Sequence, residues 1–321
     1  MYQLSKTGAF NFTKFLAQLA KDSELIAPVK TDTTRYQVIK DSRSIYLDGQ
    51  SYYPVKEFFF RVHQQIFAFQ DGKTKINSPK PRPRVFLGLR RCDLNAIHHQ
   101  DIGLCGEIYY EHLREKTLFI GIHCWSTCNE YAFCGSLSLK DCYDLMLYEY
   151  KTYYLVETGT PEGDLFVAKY KQFFKKTNET ITPEKKVIAN ADRLKVLELE
   201  PLFDNPHWQE GVNQCFSCAA CVMLCPTCYC FEIKDSVNSD NLSSGERYRS
   251  WSSCQLRSFS RVAGNYVFRD KRDERFKHRI YHQLSYFKEK HGINLCVGCG
   301  RCISGCPSRI DFVKLLNEMK Q

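Results

Sequence analysis

No apolar stretch in this 321-residue chain reaches the ~18 residues that a membrane span needs. The first residues, Met1 to Asn11, hold one lysine and no apolar run long enough for a secretory leader. These two absences lead to the expectation of a soluble, cytoplasmic protein without a membrane partner. There is no G-x-G-x-x-G between a strand and a helix, no P-loop and no C-x-x-C-H haem attachment, so the usual cradles for dinucleotides, nucleoside triphosphates and covalent haem are missing. No catalytic triad or carboxylate pair stands out, and no recognisable nucleic-acid module accompanies the basic residues. Low-complexity segments are absent as well, and 43% hydrophobic with 25% charged residues is the makeup of a folded globular protein.

Cysteine, by contrast, is abundant. Seventeen of them in a reducing compartment argue for metal or redox chemistry and against a disulfide framework. Eight fall in one pattern written twice: Cys215, Cys218, Cys221, Cys225, Pro226 and then Cys296, Cys299, Cys302, Cys306, Pro307. A tight C-x2-C-x2-C loop brings three thiolates around one small cage, and in two-cluster ferredoxins the fourth cysteine, before proline, ligates the other cluster. The spacing therefore predicts two 4Fe-4S centres, one on Cys215, Cys218, Cys221 and Cys306 and one on Cys296, Cys299, Cys302 and Cys225. Structural zinc usually takes paired C-x2-4-C or cysteine with histidine and has no use for a third cysteine at the same spacing. Eight cysteines in two short loops cannot all pair as disulfides without bad geometry.

The length suggests two domains. Residues 9–22 set Phe12, Phe15, Leu16 and Leu19 on one helical face. Short β-rich pieces follow at 35–40 and 44–47, 57–69 is ambiguous between strand and helix, and 79–84 reads as a linker-like loop. Arg84–Leu89 and Thr117–His123 are continuous apolar runs, as in strands buried on both faces. Asp93 suits the N-cap of a helix reaching Gln100. Two more strands are expected at 144–148 and 153–157, and residues 164–200 are charged and read as helical around a loop at 176–183. A boundary at Leu202–Trp208 then gives an α/β domain over 1–205 and an all-α dicluster domain over 206–321. The 70 residues between Cys225 and Cys296 are far more than a compact ferredoxin uses, and residues 244–292 are read as a mostly helical insertion.

Nine cysteines remain. Cys92 and Cys124 fall just past predicted strand ends, where open α/β sheets form their functional crevice. Cys134 lies in the following loop, and Cys228, Cys230 and Cys254 fall in the second domain. A free cysteine is most often a small buried hydrophobe, yet these six could supply four thiolates to a third metal or cluster site at the domain seam; a redox-active thiol pair is the lesser alternative. Cys105, Cys128 and Cys142 give no such signal. The formal charge of +9 falls to roughly +5 once two cubanes of about −2 each are counted. Its densest runs, 80–84 and Arg269–Arg279, read as solvated faces, and His98-His99 as a helix surface pair, since adjacent helical residues point apart.

With these residues in hand, the chain resembles the iron-sulfur beta subunits of cytoplasmic sulfhydrogenases, and nearly as closely the A subunits of anaerobic sulfite reductases. The resemblance rests on RRCDLNAI (90–97), HCWSTCNEYAFCGSL (123–137), CFSCAACVMLCPTCYCFE (215–232), RYRSWSSC (247–254), AGNYVFR (263–269) and CVGCGRCISGCP (296–307). One departure is that the family often has Cys-Phe-Cys where this chain has Ala132-Phe133-Cys134, which removes a thiolate. The resemblance implies a non-catalytic wire between a flavin subunit handling NAD(P)H and a catalytic partner with a nickel-iron or sirohaem site. A reading of another class is that the chain itself reduces a small sulfur compound at the third site; a weaker one is a binding module in which the clusters are structural.

Overall fold

The computed structural model describes residues 1–80, 82–196 and 198–319. Pro81, inside the expected 79–84 loop, and Leu197, inside the expected helical 164–200, lie outside the described residues. Among the described residues twelve strands follow in chain order: β1 (Tyr2–Ser5), β2 (Glu24–Lys30), β3 (Thr34–Val38), β4 (His63–Gln70), β5 (Lys73–Ile76), β6 (Arg84–Leu89), β7 (Thr117–Ile122), β8 (Leu145–Glu149), β9 (Tyr153–Thr158), β10 (Phe174–Lys176), β11 (Phe231–Asn238) and β12 (Asn241–Trp251).

The larger sheet runs β10-β1-β9-β8-β7-β6-β2-β3. Its centre, β2-β6-β7-β8, is parallel and its flanks antiparallel. Every residue of β6 is buried, as its unbroken apolar run requires when both faces are covered. One face packs on the opening helix Phe12–Asp22, which buries Phe15, Leu16 and Leu19 and is N-capped by the Asn11 side chain. The other face carries the helix Arg91–Gly103 and a second core around Phe59, Phe86, Tyr110 and Tyr148. Asp93 sits in that helix's first turn and accepts from the Arg90 amide at 3.2 Å, so the N-cap is Arg90 and the helix starts three residues earlier than the sequence suggested. Because β6 and β7 run parallel side by side, Cys92 and Cys124 emerge at the same edge of the sheet.

The expectation of an α/β unit followed by an all-α unit is overturned by the second sheet, β11-β12-β4-β5. Its β11–β12 hairpin comes from the stretch between the two cysteine loops and pairs with β4 from the first half of the chain. Phe231, Ile233 and Val237 stand at alternate positions, the period of a strand, and residues 238–241 make the turn. A helical reading of the insertion holds only for its later part, Arg272–His291. Among the described residues the charged segment 164–200 is α-helical only as far as Lys169, with a 3-10 turn at Pro183–Lys186, and residues 42–44 form another 3-10 turn. A third core, with Trp208, Phe276, Tyr281 and Leu316, joins the helices around the cysteine loops to Phe133 and Leu137 from the first half.

Candidate metal centre

The two cysteine loops have one local geometry. In the first, the Ser217 amide donates to Cys215 Sγ at 3.4 Å, and Ser217 and Ala219 are left-handed before a one-turn helix, Ala220–Met223, carries Cys221. In the second, the Gly298 amide donates to Cys296 Sγ at 3.4 Å, Gly298 and Gly300 are left-handed, and Arg301–Ser304 carries Cys302. Left-handed residues at alternate positions curl the chain and turn successive amides inward, the arrangement that cradles anions. All eight cysteines of the repeated pattern line one cavity.

The lining fits thiolate-held clusters and does not fit one metal ion per loop. A mononuclear tetrahedral thiolate site brings its sulfurs to within roughly 3.8 Å of one another, whereas among the described residues no three cysteine Sγ atoms lie within 4.8 Å of one another. Cations are supplied in addition. Arg279 is buried in the cavity wall, donates to the Cys221 carbonyl at 3.1 Å, and leaves its Nε without a partner among the described residues. Burial opposes its charge, but Cys228, Cys225 and Cys221 outweigh that and hold its pKa well above normal. Lys56, also buried, donates to the Val222 and Cys228 carbonyls at 3.1 Å each and stands 4.2 Å from the Trp251 ring centre. Burial lowers its pKa, against the pull of Cys228, Cys225 and Cys230. Two buried cations make sense only beside anions.

The six cysteines singled out for a third site fall into two groups. Cys92, Cys124 and Cys134 line a second, small cavity together with Cys128, a cysteine that the sequence did not single out. Cys228, Cys230 and Cys254 gather elsewhere, against Cys221 and Cys225. In the first group Cys124 and Cys128 lie Sγ to Sγ at 3.6 Å. The Cys124 thiol is lowered to about 7, first by the hydrogen bond from Cys128 and then, against burial, by the Arg90 guanidinium. Burial pushes Cys134 up to about 11. In the second group the hydrogen bond from Cys254 lowers Cys230 to about 7, and Gln283 Nε2 donates to Cys228 Sγ at 3.6 Å. Cys105 is exposed and Cys142 half-buried, apart from both groups.

Several residues at these sites were not legible beforehand. The run Arg269–Arg279 is not all a solvated face, because Arg275 and Arg279 are buried. Their i, i+4 spacing beside Phe276 and Ile280 was the available signal for an inward face. Lys56 interrupts an apolar stretch between Val55 and Phe58, a cue that a cation is being buried. His99 is buried, with Nδ1 3.1 Å from the Leu295 carbonyl oxygen, while His98 points elsewhere as adjacent helical residues must.

The 4Fe-4S dicluster domain family matches residues 214–310. Sulfhydrogenase 2 subunit beta of Pyrococcus furiosus is 30% identical over 331 aligned positions, which span 97% of this chain and 96% of that protein. No solved structure matches the chain.

Proposed function

The chain belongs to the family of sulfhydrogenase beta subunits, and from that premise we propose that it is the iron-sulfur electron-transfer subunit of a cytoplasmic, multisubunit oxidoreductase. The observation that carries this reading is the single cavity lined by all eight cysteines of the repeated pattern. Cys215, Cys218, Cys221 and Cys306 hold one 4Fe-4S cluster, and Cys296, Cys299, Cys302 and Cys225 the other. Such clusters supply one-electron chemistry with little reorganisation. The residues around them set the potential through burial, charge and hydrogen bonds to sulfur. Arg279 and Lys56 place positive charge there, and the amides of Ser217 and Gly298 donate to thiolates. All eight ligands lie after residue 205, so the boundary proposed there separates the part that holds the clusters from the part that covers them, although the β11–β12 hairpin reaches back across it.

The partners proposed are a flavin subunit that handles NAD(P)H and a catalytic subunit with a nickel-iron site. The first loop is the side open to one of them, since Cys218 is exposed and Phe216 stands 75% exposed. Among the described residues no helix is long and apolar enough to cross a membrane.

Iron and acid-labile sulfide analysis of anaerobically purified chain, with EPR after dithionite reduction, tests the proposal. At least about eight irons per chain and a coupled two-cluster signal are expected, both collapsing in Cys302→Ser. Iron below about four per chain, with no reducible signal, would overturn it. Nickel in the co-purified complex supports the hydrogenase partner, and sirohaem in its place reassigns the far end to sulfite reduction.

A further inference from the structure

We propose that Cys92, Cys124, Cys128 and Cys134 hold a third iron-sulfur cluster, next to the cluster on the second loop. The sheet topology creates the site. Cys92 opens the helix that follows β6, Cys124 lies just past β7, and the two parallel strands bring both to one crevice. The loop after Cys124 then folds back and adds Cys128 and Cys134 to the same small cavity. Four thiols converge on one cavity, Cys92 reaching it from a cluster with Ala96 and Val297 and the other three from beside Ile188 and Ala191, whereas isolated buried cysteines are dispersed singly among apolar side chains. The thiolate lost at Ala132 is not needed to complete the set.

Charge supplies an independent argument. The Arg90 guanidinium is buried, its Nη1 lies 3.9 Å from Cys124 Sγ, and its remaining hydrogen bonds go to the carbonyls of Leu47 and Gly49. Among the described residues no carboxylate forms an ion pair with that guanidinium; the Asp93 carboxylate pairs with Arg301. A buried guanidinium without a counter-anion is costly, and thiolates ligating iron provide the anion. A single zinc ion does not fit: Cys124 and Cys128 lie Sγ to Sγ at 3.6 Å, but among the described residues no three of these sulfurs lie within 4.8 Å of one another, as a tetrahedral thiolate site requires.

Position gives the site its role. Cys299 lines the small cavity as well as the large one. Gln50 Nε2 donates to Cys92 Sγ at 3.6 Å and to the Cys299 carbonyl at 3.2 Å, and Asn129 Nδ2 donates to that same carbonyl at 3.0 Å. The inference rests on Cys299 being a cluster ligand, as the proposed function has it. One electron leaves the reduced cluster on the second loop and reduces the third by one; no bond forms or breaks and no proton moves. The wire then extends from the exposed first loop into the crevice of the large sheet.

The full chain, purified anaerobically, decides this by iron, sulfide and zinc content together with Mössbauer spectroscopy, none of which depends on a variant. Iron and sulfide at about ten or about twelve per chain, according to a two-iron or four-iron centre, are expected. In a Cys128→Ser, Cys134→Ser double variant the count should fall to about eight with the two-cluster EPR signal retained. About eight irons in the wild type, alone, with one zinc, or with Cys124 and Cys128 recovered as a disulfide, overturns the third centre while leaving the two-cluster reading intact. Iron that the double variant abolishes completely would instead sink the two-cluster reading and keep this site. Near-UV circular dichroism shows whether the variant is folded, and Cys92→Ala supplies a second test if it is not.

Discussion

The two cysteine loops are the same backbone in different surroundings, and the difference separates what a cluster loop needs from what its neighbours impose. Both use left-handed residues at matching places, Ser217 (φ 54°) with Gly298 (φ 64°) and Ala219 (φ 71°) with Gly300 (φ 75°). The first loop shows that glycine is not required for the conformation. In the second, a Cβ on Gly298 would lie 2.5 Å from the Cys134 amide nitrogen, and one on Gly300 would fall onto Asn129 Oδ1 and within 2.8 Å of the Tyr131 carbonyl carbon. Glycine is needed there because the 129–134 loop presses on it. The same contrast runs through the other matched positions: Phe216 is 75% exposed where Val297 is 2% exposed, and Ala220 corresponds to Arg301. One loop faces outward and the other is locked to the large sheet.

Cutting that lock is expected to have the largest effect. Arg301 is 2% exposed and Asp93 fully buried; Nη1 and Oδ1 are 2.8 Å apart but too oblique for a hydrogen bond, so the attraction is chiefly Coulombic. Arg301 also donates to the Ser51 carbonyl at 2.8 Å. Arg301→Met leaves a buried carboxylate without its counter-ion and should cost about 3–5 kcal/mol, read as a lower urea midpoint under anaerobic conditions. Adding Asp93→Asn should recover part of the loss, because the uncompensated charge is then gone. Ala220→Gly, at the matching place in the first loop, should cost only about 1 kcal/mol. Equal losses at the two places would break the distinction between a locked and an open loop.

Next come the glycines. Gly300→Ala combines a left-handed alanine, about 1–2 kcal/mol, with overpacking against its neighbours, about 1–3 kcal/mol, and a loss of roughly 2–5 kcal/mol follows for it and for Gly298→Ala. Ala219→Gly makes the opposite change in the first loop: relief of left-handed strain, about 1–2 kcal/mol, is set against the loss of a buried methyl, about 0.8 kcal/mol, and the entropy of glycine, so the net change should stay within about 1 kcal/mol. Denaturation midpoints of the three variants sharpen the comparison: a large loss in Ala219→Gly would mean that the first loop is held by contacts its open face does not show.

How far the sequence carried these conclusions follows from the range of the interactions. The eight cysteines assigned to the proposed clusters stand out by local spacing, β6 and β7 by unbroken apolar runs, and the opening helix by its apolar period. The β11–β12 hairpin was misread as helix: its partner β4 lies far away in the chain, and only the alternation of Phe231, Ile233 and Val237 announced it. Cys92, Cys124 and Cys134 were found from strand ends, but Cys128 has no motif, and it took the fold to set Cys228, Cys230 and Cys254 apart from them. Arg279, Lys56 and Arg90 were invisible for a related reason, since a cation is buried only where distant segments bring it thiolates and carbonyls.

Phe216→Ser carries the comparison to its smallest stability effect. The side chain is exposed and supports no core, so the urea midpoint should move by no more than about 0.5 kcal/mol equivalent, and iron content should stay at the wild-type level. Val297→Ser, the same change in the buried loop, removes apolar packing beside Cys92 and Cys299 and belongs with the destabilising variants. What Phe216→Ser should lose is the partner. If electrons cross the complex at the first loop, the rate at which the flavin or the catalytic subunit exchanges electrons with this chain falls, while its reduction by dithionite, which needs no docking, is unchanged. An unaltered inter-subunit rate would place the crossing elsewhere on the surface and leave the exposure of the first loop without a functional consequence.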